Sequence, residues 1–174
     1  MNSNIVILIT GVSGFIGAAV AKKFLNNNFS VVGIDNMNDY YEPRIKKDRL
    51  QDIKKHVKEK INWRFFKTSI ENNEKLKEIF ELTRPNYVIN LAAQAGVRYS
   101  LINPEIYIKT NLVGFGNILE NCRKYNIEHL VYASSSSVYG GNKKLPYSES
   151  QSVNHPLSLY AATKKSNELL AHTY

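Results

Sequence analysis

The chain has a single cysteine, Cys122, in 174 residues, which excludes an internal disulfide framework and points to a reducing compartment, the cytoplasm. Its four histidines, His56, His129, His155 and His172, are scattered without metal-ligand spacing, so no metal is expected. No apolar run approaches the roughly 20 residues needed to cross a bilayer. The N-terminal "NIVILIT" is short, lacks a basic flank and runs straight into glycines, which reads as a core strand rather than a targeting segment. No internal repeat, low-complexity tract or interdomain linker is present, and the length suits one domain with a real core.

Negative charge is the scarcer sign. The 15 Asp and Glu against 23 Lys and Arg leave a formal net charge of +8. Much of the excess lies in "RIKKDRLQDIKKHVKEK", residues 44–60. A basic run can serve nucleic acid or an anionic membrane. Here Ile45, Leu50, Ile53 and Val57 recur at roughly helical spacing, which predicts an amphipathic helix with a solvated basic face. No aromatic residue interleaves with the lysines, against single-strand binding. A nucleic-acid or membrane role rests on charge alone, and neither partner is expected.

What the chain does have is alternation. Apolar strand-like runs at 5–10, 29–35, 61–67, 86–93 and 127–135 are separated by helical patterns: after the glycines at 11–17, over the basic segment, at 72–84 before Pro85, and at 104–125 with Pro104 in the first turn. A loop with Gly140, Gly141 and Pro146 leads to a last helix from about Ser158. Five β-α repeats with strands buried on both faces predict an α/β fold, a doubly wound parallel sheet. Ligands bind such sheets at the strands' carboxyl ends, where the strand order reverses.

Three features fall at those ends. The first is "TGVSGFIG", with Gly11, Gly14 and Gly17 between a strand and a helix. That context allows a tight turn at Gly11, approach of pyrophosphate at Gly14 and close helix packing at Gly17. Unpaired N–H groups and the helix dipole favour phosphate there. Asp35, closing the second strand, can accept from both ribose hydroxyls and repels a 2′-phosphate, so NAD is favoured over NADP, with Arg44, Lys46 and Lys47 weakening the preference. A glycine turn that binds nothing, with Asp35 as a cap, is the alternative.

The second feature is "YASSSSVYG", four serines where the fifth strand runs out. They could face the same cleft or satisfy their own turn. The third is "SLYAATKK", with Tyr160 and Lys164 at i and i+4 on one helical face. A lysine ammonium favours phenolate, and a phenolate beside an aligned hydroxyl can take a proton from a sugar alcohol while its carbon gives up hydride. The spacing is common on helix surfaces, and its weight here comes from its place after the glycine loop, Asp35 and the serine run.

Taken in order, "TGVSGFIG", "NLAAQAGVRYS", "TNLVGFGNILE", "YASSSSVYGG" and "SLYAATKK" resemble the motifs of the extended short-chain dehydrogenase/reductase family and its nucleotide-sugar epimerases. "DNMNDYYEPRIKKDRL" and "AAQAGVRYSLINP" resemble the UDP-glucuronate 4-epimerase, or CapI-like, branch, whose members make capsular polysaccharide precursors. The resemblance implies a Rossmann fold and a tightly held, recycled NAD. Tyr160 would take the 4-OH proton, C4 would pass hydride to NAD, and the 4-keto sugar would rotate and regain hydride on its other face. Ser135 would be the catalytic hydroxyl, with Ser136 its nearest rival. Phe15 and Ile16 would sit by the pyrophosphate, Asp35, Asn36 and Asn38 around the adenosine ribose, and Ser69 and Ile70 by the adenine. Leu91, Ala92, Ala93 and Gln94 would line the cofactor, with Thr110 nearby and Arg98 towards the sugar.

The chain departs from the pattern in three places. Asn90 stands where relatives commonly carry histidine. Ser69-Ile70 stands where many carry Asp-Ile or Asp-Leu, removing a carboxylate from the adenine amine. The chain also ends soon after the Tyr-Lys helix, whereas the family continues with at least one more strand and a region that grips the UDP-sugar. Residues 1–174 would then be a C-terminally truncated NAD-binding domain with an open sheet edge. It would bind NAD weakly or not at all, turn over little alone, and pair as a homodimer through helices 104–125 and 158 onward or with a separately encoded C-terminal part. The alternatives are a 4,6-dehydratase, a reductase of the same superfamily, and a non-catalytic NAD-binding remnant. Ser136 and Ser137 in place of a dehydratase's Asp-Glu count against the first.

Overall fold

The computed structural model describes residues 5–57 and 62–174. The end of the basic segment, 58–60, and Ile61 of the third expected strand lie outside the described residues. Five parallel strands, β1 (Val6–Thr10), β2 (Ser30–Asp35), β3 (Trp63–Lys67), β4 (Tyr87–Asn90) and β5 (His129–Tyr132), form one sheet in the order β3-β2-β1-β4-β5. β1 is central, with Leu8 opposite Val32 on one side and Val88 on the other. The order reverses between β1 and β4, which opens a crevice at their carboxyl ends.

Strand alternation divides the core in two. Leu8, Val32, Ile34 and Val88 pack against α3 (Asn73–Thr83) through Leu76, Ile79 and Phe80, and against Ile118 of α6 (Phe115–Lys124). Ile7, Ile9 and Val31 point the other way, onto Ala18, Ala21 and Leu25 of α1 (Phe15–Asn26) and Ile53 of α2 (Pro43–Lys55). Burial on both faces is why these strands read as continuous apolar runs rather than as alternating ones. β5, an edge strand, alternates instead, with Val131 exposed.

The structure corrects several expected details. α2 ends at Lys55, and the stripe read from spacing holds except at its start: Ile53 is buried and Leu50 and Val57 pack against the same core, but Ile45 is exposed, whereas Lys46, assigned to the solvated face, is buried. The long helix over 104–125 changes pitch. A turn α5 (Pro104–Tyr107) passes into a π-helical segment, Ile108–Gly114, and then into α6. The wider turn brings Thr110 and Asn111 inward, and π segments of this kind are frequent at functional sites. A short helix α4 (Tyr99–Ile102) and a 3₁₀ turn, Ser136–Tyr139, carry no apolar periodicity and escape a sequence reading. α7 (Leu159–His172) closes the described chain, capped by the Ser158 side chain on the Ala161 N–H at 3.1 Å. Among the described residues no helix is long and apolar enough to cross a membrane, and no group of three or more His, Cys, Asp or Glu could hold a metal.

Candidate active site

The glycine turn is built by close approach. Gly11 has φ +68° and no room for a side chain, since a Cβ there would lie 2.7 Å from the Ala92 nitrogen. A Cβ on Gly17 would run into the Gly11 carbonyl oxygen, so this glycine lets α1 start against the end of β1. Gly14 precedes the helix with no side-chain cap, leaving the first-turn N–H groups for an outside acceptor. Phe15 and Ile16 open α1 with exposed side chains.

Asp35 holds the far side of the turn. Its Oδ2 accepts from the Ser13 N–H at 3.0 Å and its Oδ1 from the Met37 N–H at 2.9 Å. The capping role raised as an alternative is therefore real, but what it caps is the glycine turn and the β2 exit, not a helix. Each oxygen keeps acceptor capacity for a ribose hydroxyl. Lys46 crosses in from α2 and donates to the carbonyl and side-chain oxygens of Asn38, at 2.9 and 2.5 Å. Burial lowers its pKa, opposed by the carboxylates of Asp35 and Asp39. Arg44 and Lys47 are exposed, so of the three cations expected to weaken the preference for NAD only Lys46 reaches the site.

These groups border a cavity of about 170 Å³ in the crevice. Its floor is Gly11, Gly14 and Asp35, with Asn36 and Asn38 beside them. Ser69, Ile70 and Thr110 form one wall, and Leu91, Ala92, Ala93 and Gln94 another. Lys46 lines it too, and Tyr40, Tyr41, Thr68 and Ala95 also line it and were missed, because nothing in their local pattern marks them. The volume is below the roughly 300 Å³ at which ligand pockets usually begin, so it suits one end of a dinucleotide. A turn free of side chains, an uncapped helix start and a strand-end carboxylate fit such a cofactor, the diphosphate lying at the helix start and the ribose at Asp35.

The remaining predicted residues lie outside that lining, and two of them, Tyr160 and Lys164, sit on a helix tied to it. Asn111 is the link. Its Oδ1 accepts from the Gln94 N–H at 2.8 Å, and its Nδ2 donates to the Gln94 carbonyl and to Thr163 Oγ1 at 3.0 and 3.1 Å. Asn167 donates to the Asn111 carbonyl at 2.6 Å. α7 is thus fastened to the cavity wall by its buried face. Tyr160, in its first turn, is half-buried and meets the Tyr107 ring edge-on at 6.2 Å, and the Tyr107 hydroxyl shares its one proton between the carbonyls of Ala95 and Gly96, at 2.8 and 2.5 Å.

Lys164 is 5% exposed and donates to the Ala133 carbonyl at 3.0 Å, just past the end of β5. Burial brings its pKa down to about 8. Ser135, two residues after Ala133, accepts from the Ser137 N–H at 3.2 Å and so caps the 3₁₀ turn, leaving its own proton free to donate. Ser136 is exposed, and Ser134 is bonded to Glu168 at 2.5 Å. Arg98 is exposed ahead of α4. Asn90, at the position where histidine was noted as usual, receives the Thr10 hydroxyl at 2.6 Å and is buried.

A family model described as GDP-mannose 4,6 dehydratase matches residues 8–174. The chain belongs to this family. It is 55% identical over 168 residues to the protein CapI of Staphylococcus aureus, covering 97% of this chain and 49% of that one. To UDP-glucuronate 4-epimerase 4 of Arabidopsis thaliana it is 42% identical over 174 residues, covering 99% and 39%. Among solved structures, the UDP-glucuronic acid 4-epimerase of Bacillus cereus in complex with UDP-glucuronic acid and NAD superposes with a TM-score of 0.86 at 31% identity, covering 98% of this chain and 52% of that one. The chain spans about half the length of the curated relatives it matches.

Proposed function

We propose that residues 1–174 are the NAD-binding part of a nucleotide-sugar 4-epimerase, with UDP-glucuronate as the sugar substrate and UDP-galacturonate as its product. The observation that carries this reading is the Asn111 node, which joins the cavity wall at Gln94 to the helix bearing Tyr160 and Lys164. A nucleotide site and a proton-transfer pair become parts of one rigid unit. The relatives named for UDP-glucuronate epimerisation support the choice of sugar.

NAD supplies a reversible hydride acceptor for C4 of the sugar. The protein's own groups do the rest. Gly11 and Gly14 admit the diphosphate to the backbone, and Asp35 accepts from the ribose. Tyr160 takes the proton of the 4-OH and later returns it. Lys164, largely protonated at neutral pH, sits one turn further along the same helix. Ser135, its oxygen held by the Ser137 N–H, keeps its proton for the substrate oxygen. Arg98 is exposed ahead of α4, and its guanidinium would suit an anionic sugar.

The family's description does not bring dehydration with it. That reaction needs an acid–base pair beside the catalytic hydroxyl, and here Ser136 and Ser137 stand in those places. The test is calorimetric titration of NAD into the chain, alone and with a C-terminal sugar-binding partner from a relative, followed by an assay of C4 inversion. We expect NAD to bind and inversion to proceed without net NADH. Steady NADH accumulation would favour a dehydrogenase, and no affinity for NAD in either form would overturn the reading.

A further inference from the structure

The loop after β3 is seated on the π-helical segment and the first turn of α6. Asn117 Nδ2 donates to the carbonyls of Ile70 and Glu71 at 3.0 and 3.2 Å. Gly114 makes the approach possible, because a Cβ there would lie 2.6 Å from Ile70 Cγ1. The half-buried Glu71 then meets the buried Thr110, whose Oγ1 donates to Glu71 Oε1 at 2.5 Å. Ser69, Ile70 and Thr110 line the cavity, and Glu71 stands behind Thr110.

A hydroxyl has one proton and two lone pairs, whereas an ionised carboxylate only accepts. Bonding to Glu71 therefore commits the Thr110 proton away from the cavity, and the oxygen can offer the cavity only acceptor capacity. An acceptor suits an amine and opposes a carbonyl. Ser69, which the resemblance sets by the adenine, brings a hydroxyl and no carboxylate to that wall, so an acceptor from another element has a place there.

We propose that Glu71 is a positioning residue that makes the Thr110 hydroxyl a dedicated acceptor at the base-binding end of the cavity, selecting a purine with an exocyclic amine over one with a carbonyl in its place. The inference rests on the reading of this cavity as the NAD site.

The test compares NAD with nicotinamide hypoxanthine dinucleotide, which differs by that amine, in equilibrium binding to the 174-residue chain. The wild-type chain is expected to prefer NAD by about tenfold, the worth of one well-made hydrogen bond. Glu71→Ala lets the threonine proton rotate, and the ratio should fall to within about twofold. Glu71→Gln keeps the size and can donate to Thr110, turning that hydroxyl's proton to the cavity, so the ratio should fall at least as far. Thr110→Val should erase the preference whichever residue stands at 71. A preference that survives in both Glu71 variants overturns the proposal, as does loss of affinity for both dinucleotides by the same factor, which is what a purely structural role would give. Equal wild-type affinity for the two overturns it while leaving the NAD reading intact. If the wild-type chain binds neither, the titration is repeated in the complex with a C-terminal sugar-binding part, and binding to neither there overturns that reading and this inference with it.

Discussion

A phenol ordinarily titrates near pH 10 and makes a poor base at neutral pH, so everything asked of Tyr160 depends on its neighbours. The hydroxyl is what the proposed chemistry needs, and the ring is what the packing needs. Tyr160→Phe keeps the edge-on contact with Tyr107 and should leave NAD affinity within about twofold, while removing a proton-transfer group worth about 10²–10⁴ in rate. Parallel calorimetry and C4-inversion assays in the complex with a sugar-binding part separate the two effects. Lys164 makes a second prediction. Its pKa falls from 10.5 in the unfolded chain to about 8 in the fold, because burial disfavours the ammonium. Between those values the native state binds fewer protons than the unfolded one, so stability rises with pH across the window, and the penalty of burying the charge is fully present below it. Urea titrations from neutral pH to 9 should show this rise in the wild type and its loss in Lys164→Met. The range stops there because the Cys122 thiol, pushed up by burial to about 12, acts in the opposite direction at higher pH. At this scale the sequence exposed the reactive residue types and their spacing. It did not expose Lys46 or Glu71, because a lysine on a basic helix and a glutamate in a loop look like solvated charges until the backbone turns them inward.

Whole elements depend on a few points of near contact. α1 can start where it does only because position 17 has no side chain. Gly17→Ala would force its methyl into the Gly11 carbonyl and displace the helix start, at a cost of about 1–3 kcal/mol, read as an earlier urea midpoint. The glycine turn proposed to receive the diphosphate is the one displaced, so NAD affinity should fall as well. Asn111 plays the matching part for α7. Asn111→Leu would leave the Gln94 N–H and carbonyl unpaired in a buried site and remove the bond to Thr163, destabilising by about 2–4 kcal/mol, while the Asn167 bond to the backbone carbonyl of residue 111 remains. Amide exchange in α7 should rise further than in the central strand β1. The glycine spacing announced the first contact, since G-x-x-G-x-x-G between a strand and a helix has few other uses. Nothing announced the second. "TNLVG" reads as ordinary helix, and the π-helical segment that carries Asn111 and Thr110 inward shows itself only once it is packed against the 69–71 loop and α7.

At the level of the molecule, the two cores on either face of the sheet leave the crevice between β1 and β4 as the place where a ligand bridges elements from both halves. A ligand that binds only the folded chain stabilises it by mass action, by about 2.7 kcal/mol at a hundredfold excess over its dissociation constant. NAD should therefore raise the melting temperature in a concentration-dependent way, and NADP should do so less, because Asp35 opposes a 2′-phosphate. An equal shift with NADP would mean that Lys46, and not Asp35, dominates that end of the cavity.

Read alone, the sequence determined the strand and helix order, the parallel sheet and the glycine turn, because each is written in local periodicity and in residues with special backbone freedom. It also carried the family, through motifs in a fixed order. Only the tertiary structure decided which charges face inward, which hydroxyl donates and which accepts, and how the Tyr160 helix is bound to the cavity wall. Those properties belong to pairs of residues from 8 to 56 positions apart, and no local pattern encodes the partner that a side chain meets after the chain has closed.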